Sequence, residues 1–162
     1  MTRKHPKTHN RSNLVTLPKT IMDRYLKIHM FMDIFFVNRN PFLHTKSEKI
    51  NYRSIQAISD RTMKEIVQGL KVIKKVYDTR GFLIQKWHVD GEFNNQQIAN
   101  TVLPAKLEVY SRNEHVGVIE QSIKEIKERG RSTLQGLPYK RIPRLMIKEL
   151  MAGIINALNT FL

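Results

Sequence analysis

The chain reads as an α/β domain, a mixed sheet flanked by helices, and three observations predict it. Three short apolar segments follow one another before any helical pattern begins; a helix and strands then alternate; and the last third is helical. One segment, "LKIHMFMDIFFV" at residues 26–37, is almost continuously apolar and rich in β-prone residues. Such a run marks a strand covered on both faces, so it belongs in the centre of its sheet.

The remaining elements follow in order. "NRNP" at 38–41 is a turn signal, "FLHTK" a second strand and "NYRSIQAIS" a third, which together predict an antiparallel meander. Ser59 and Asp60 offer helix caps, and Met63, Ile66, Val67, Leu70, Ile73 and Val76 recur at helical spacing until Gly81 closes the helix. "FLIQKWHV" returns as a strand. A strand, crossover helix and strand form a right-handed unit, which sets the later strand parallel to an earlier one and leaves Asp90 at its carboxyl end. Residues 91–104 are polar and predict partly irregular chain, and "KLEVYS" is a fifth strand. A helix from about residue 114 to 134, a break at "GLPYKRIP" and a last helix from about 144 complete the chain.

With 162 residues, one domain is expected. Residues 1–25 read as a basic N-terminal arm and 26–162 as the folded core, since "MTRKHPKTHNRS" has nothing to bury. Twenty-eight Lys and Arg against fourteen Asp and Glu leave a formal charge of +14, which makes nucleic acid the first partner to consider. Membrane association is not expected, because the longest apolar runs fall well short of the ~20 residues that cross a bilayer. The polar start carries no secretory signal pattern. The absence of cysteine removes disulfides and thiolate catalysis, fits a reducing compartment, and leaves His5 and His9 as half of a zinc site without its other half.

Three acids stand out. Asp33 interrupts an apolar strand, where an ionised carboxylate must be paired, hydrogen-bonded, metal-bound or turned to water. Asp90 precedes Gly91 at a strand end, a place where Asp also serves simply to cap a turn. Glu120 belongs to a charged helix and could do no more than pair with Lys124, an interaction of ~0.2–0.5 kcal/mol. At ~100° per residue, Val116, Ile119, Ile123 and Ile126 share an apolar face, while Glu120, Lys124 and Lys127 line one margin of it. Glu125 and Glu128 are expected to be surface residues. If the three acids converge on one sheet edge, they suit Mg²⁺ or Mn²⁺, hard cations that keep room for waters and substrate phosphates.

In this order, "MDIFFVNRNPFLHTKSEKI", "YDTRGFLIQKWHVDGEF", "NEHVGVIEQSIKEIKERGRSTLQGLPYKRIPRLMI" and "NALNTF" resemble the integrase catalytic core of copia-type long-terminal-repeat retrotransposons. The resemblance runs from about Pro18 onward and is specific as a set rather than motif by motif. It implies a ribonuclease-H-like fold with a mixed five-stranded sheet flanked by helices, and a catalytic, metal-binding triad of Asp33, Asp90 and Glu120 with Mg²⁺ or Mn²⁺ as cofactor. The implied activity is DNA 3′-end processing and strand transfer, carried out in the nucleus with a cytoplasmic phase possible for the element. DNA contacts would fall to Lys124, Lys127, Arg131, His115 and Asn113. Homo-oligomerisation through core helices is also implied, with Leu145, Leu150, Ile154 and Leu158 of the last helix as candidates against ordinary core packing.

The sequence departs from the family in places. Twenty-nine residues (91–119) separate Asp90 from Glu120, a short spacing, and Gln121 stands where Arg is usual. Companion zinc-binding and C-terminal DNA-binding domains are not among these residues, so a full transposition reaction is not expected of this chain alone. The alternative reading is a non-catalytic, nucleic-acid-binding relic or repurposed fragment, whose affinity would fall steeply with salt.

Overall fold

The computed structural model describes residues 18–111 and 117–160. Within them a five-stranded mixed sheet has the order β3-β2-β1-β4-β5. β1 (Lys27–Val37) is central, β2 (Asn40–Ser47) and β3 (Arg53–Ala57) pair antiparallel beside it, and β4 (Leu83–Asp90) and β5 (Lys106–Tyr110) run parallel on its other side. The β1–β2 hairpin turns on Asn38 and Arg39, with φ of 47° and 65°. Both central positions are therefore left-handed, as the tight hairpin turn that matches strand twist requires.

Two helical layers cover the sheet. On one face α2 (Met63–Thr79) and α3 (Gln96–Val102) close a core of Met30, Met32, Leu43, Leu70, Trp87 and Val89. On the other, α4 (Gly117–Gln135) and α5 (Arg144–Thr160) pack Ile119, Ile123, Ile126, Met151 and Ile154 against Phe35 and Phe42. Because side chains alternate along a strand, the even residues of β1 from Ile28 to Ile34 enter the first core. Phe31, Phe35 and Val37 turn to the second, and Asp33 shares their parity.

Several local expectations change. α2 starts at Met63 with Thr62 in the cap position, and Asp60 instead accepts the Thr62 N–H at 2.9 Å. Its buried stripe runs through Ile66, Leu70, Ile73 and Tyr77 at steps of four, three and four, so Tyr77 rather than Val76 continues it and Val76 is exposed. The segment read as irregular contains a 3-10 turn at Gly91–Phe93 and then α3, capped by Asn95, whose side chain accepts the Gln97 N–H at 2.7 Å. Lys19–Tyr25, placed in the basic arm, forms a short helix, α1, that buries none of its residues. In α5, Ile154 and Leu158 lie in the core and Leu150 packs against it, so these residues are core packing; Leu145 is 69% exposed.

Candidate functional site

Asp33 and Asp90 meet where β1 and β4 run side by side. The parallel pairing reaches Phe31 opposite His88, and Asp33 and Asp90 each stand two residues further on, at the carboxyl side of the parallel strands where ligands of open α/β sheets bind. Asp90 ends β4, its carboxylate accepting the Gly91 N–H at 2.6 Å, and is exposed. Asp33 is partly buried and accepts the Ile34 N–H at 2.7 Å.

Burial pushes the Asp33 carboxyl up to about 6; the Ile34 hydrogen bond opposes this, the negative charges of Glu92 and Asp90 add to it, and Arg61 draws it back. Burial and like charge together favour the protonated form of this acid.

A layer of rings lies beneath the pair on β1, β4 and β5. Phe31 stacks on His88 at 4.7 Å between centroids and His88 on Tyr110 at 5.4 Å, and the Tyr110 hydroxyl is hydrogen-bonded to His88 Nδ1 at 2.6 Å. Burial lowers the His88 pKa, which favours the neutral ring, while Glu108 opposes the shift.

Glu120 is in the first turn of α4 and exposed. Its helix is fixed by a buried polar network that couples residues far apart in sequence. Arg53 on β3 donates from Nε to Ser122 Oγ at 3.2 Å and from Nη2 to Glu125 Oε2 at 2.8 Å, while His44 is hydrogen-bonded to the same Ser122 hydroxyl at 2.9 Å and to the Ser54 carbonyl at 2.9 Å. A carbonyl only accepts, so His44 carries its proton on Nδ1; Nε2 then accepts from Ser122, whose oxygen receives the Arg53 N–H. Burial drives the His44 pKa down to about 4, consistent with a neutral ring. Asn159 of α5 completes the clamp, its side chain bonded both ways to the Arg53 backbone at 2.9 and 2.8 Å. Glu125 is therefore no plain surface acid, as its sequence position implied, but the counter-charge of a buried arginine. Glu128 is exposed as expected.

Lys124, Lys127 and Arg131 extend from Glu120 along α4 at intervals of four, seven and eleven residues, one stripe of a helix. Lys124 and Arg131 are exposed and Lys127 half-buried. Asn113 and His115 lie outside the described residues.

The structure thus sets Asp33 and Asp90 each two residues past the last paired positions of β1 and β4, with Glu120 on the helix that packs over the face Asp33 shares. Among the described residues, no three His, Asp or Glu side chains form a group that could hold a metal ion. Mg²⁺ is commonly held through one or two carboxylates, with waters and substrate phosphates in its other positions, so a divalent cation here would rest on Asp33 and Asp90. The opposite lip carries residues that sequence reasoning missed. Arg61, from the turn before α2, pairs with Glu92 and sets its guanidinium 5.7 Å above the ring of Phe36. No spacing rule singles out Arg61, since its partners lie 25 and 31 residues away.

No family profile matches the sequence, and no curated protein is similar to it. Among solved structures, the chain is similar to the catalytic core domain of BIV integrase, with a TM-score of 0.60 and 13% identity, over 80% of this chain and 82% of that one. The likeness establishes the fold alone, a mixed five-stranded sheet flanked by helices as in that core domain.

Proposed function

We propose that this chain is the catalytic core of a retrotransposon integrase of the copia type, a metal-dependent polynucleotidyl transferase that trims DNA 3′ ends and joins them to target DNA. The observation that carries the reading is the pair Asp33 and Asp90 at the carboxyl edge of a sheet of this fold, with the Asp33 carboxyl pushed up to about 6. The fold shared with the BIV integrase core supports it.

Asp33, Asp90 and Glu120 would hold Mg²⁺ or Mn²⁺. When bound, such ions activate a hydroxyl nucleophile and stabilise the leaving oxygen of a phosphodiester. The chain's own residues supply the rest. Lys124, Lys127 and Arg131 bind phosphates along α4, with Asn113 and His115 assigned to the same DNA surface. The Arg53–Ser122–Glu125 network holds the start of α4 over the sheet and so orients Glu120. This reading includes DNA as partner, action in the nucleus and assembly of copies through the core helices, with exposed Leu145 available to such contacts.

A second reading, a non-catalytic nucleic-acid-binding relic, is favoured by the lack of an assembled three-ligand group among the described residues. Metal-dependent nicking and strand transfer on model DNA separate the two. The integrase reading expects Mn²⁺- or Mg²⁺-dependent product from the wild type and none from Asp33→Asn or Asp90→Asn. Salt-sensitive DNA binding without product at any metal concentration supports the relic instead.

A further inference from the structure

We propose that Phe36 is a stacking seat for an unpaired nucleobase at the carboxyl edge of the sheet that also carries Asp33 and Asp90, and that Arg61 is the residue that positions it. The inference rests on the reading of the site as one that handles DNA ends, and adds to it the part of the substrate the second lip would grip.

Phe36 is near the end of β1, and its ring is 43% exposed although it continues the core strand. Exposure alone is ordinary for a single apolar side chain; what sets Phe36 apart is what lies against it. The Arg61 guanidinium lies 5.7 Å from its centroid, close enough for a cation–π contact that holds the ring in one orientation. Arg61 is itself tied to Glu92, two residues after Asp90, and its charge reaches the Asp33 carboxyl. Ring, guanidinium and carboxylates are thus one connected mouth.

An aromatic face flanked by a cation suits a base and its phosphate. The aromatic part accepts any base, so the seat discriminates unpaired from paired ends rather than one sequence from another. Arg61 also offsets the charge of Glu92, which lowers the barrier to a phosphate approaching three acids. Phe36 is three residues from Asp33, about 10 Å along the strand and, by the alternation of side chains, on the other face of the sheet, so the seat reaches the acids around the carboxyl edge, through Arg61 and Glu92. The seated base should therefore lie within a few nucleotides of the reacting phosphodiester.

The test uses 2-aminopurine placed singly at the first four positions of a frayed DNA end, with a fully paired, hairpin-closed duplex as control. Binding is followed in the full chain carrying Asp33→Asn, so that the result does not depend on turnover. Stacking on Phe36 quenches the fluorophore at one or two positions of the frayed end. Phe36→Ala removes the quenching and weakens frayed-end binding about tenfold, with little change for the closed duplex, and Phe36→Trp restores both. Arg61→Lys keeps the charge, and hence the salt dependence of binding, but loses part of the quenching because the planar group over the ring is gone. Equal quenching and affinity in Phe36→Ala and its parent overturn the proposal, as does a frayed end that binds no better than the closed duplex. Both outcomes stand apart from a failure of metal-dependent strand transfer in the wild type, which would strike the integrase reading alone. An unchanged thermal melt for Phe36→Ala, expected of an exposed ring, guards the comparison.

Discussion

Asp33 and Asp90, on adjoining parallel strands and two residues past the last paired positions, stand so that the charge of Asp90 raises the proton affinity of the buried Asp33 carboxyl. Burial and like charge both work against ionised Asp33, and only the Ile34 N–H and Arg61 lean the other way.

The cost should be measurable. The Asp33 pKa is raised from 3.8 to about 6 in the fold, so the native state holds the proton more tightly than the unfolded chain. Its contribution is intact below pH 3.8 and is lost as pH rises through about 6. Asp33→Asn, which keeps the Ile34 hydrogen bond, should be about 2 kcal/mol more stable than wild type at pH 7.5 and equal to it near pH 3.5. Urea unfolding at the two pH values checks this. His44, whose pKa is lowered to about 4, loses stability in the opposite sense as pH falls from 6.5, but it is common to both proteins and cancels.

A divalent cation should relieve the same repulsion. At ten times its dissociation constant, Mg²⁺ or Mn²⁺ adds about 1.4 kcal/mol to the native state, or about 3–5 °C in melting temperature for a chain of this size. Asp33→Asn and Asp90→Asn should lose the shift. A cation shift of the same size in all three proteins would place the binding elsewhere.

Much of this arrangement was legible before the fold was known. The apolar run at 26–37 identified the central strand, and the strand–helix–strand order set β4 parallel to an earlier strand without saying which, because continuous burial and crossover handedness are properties of local sequence. α3 was missed because only Ile98 and Val102 of its seven residues are buried, too few to give a period. Arg53 and Glu125 were missed for another reason. They are 72 residues apart, and nothing in either neighbourhood says that a buried arginine on β3 must find its acid on α4. The same holds for Arg61 over Phe36.

That long-range pair makes its own prediction. Glu125→Ala leaves the Arg53 guanidinium, 11% exposed, without its counter-charge and should cost about 2 kcal/mol, less than a fully buried pair because Glu125 is 41% exposed. Chemical denaturation measures it. Glu128→Ala, on the same helix, should fall within about 0.5 kcal/mol of wild type.

The stripe Lys124, Lys127 and Arg131 should report on DNA through salt rather than sequence. Removing one cation that neutralises a phosphate lowers the slope of log affinity against log salt by about 0.9 for duplex DNA. Single alanine variants should weaken binding to unrelated sequences equally and flatten that slope by about this amount. An unchanged slope in the triple variant would remove α4 from the DNA surface.

Glu120 is the residue on which the central claim turns, because it shares a helix with a second exposed glutamate, Glu128. The decisive measurement is Mn²⁺-dependent joining of a DNA 3′ end by wild type, Glu120→Gln and Glu128→Gln side by side. Loss of a metal ligand removes several kcal/mol of transition-state stabilisation, so Glu120→Gln should fall by about 100-fold or more while Glu128→Gln matches wild type. Equal rates for all three would contradict the assignment.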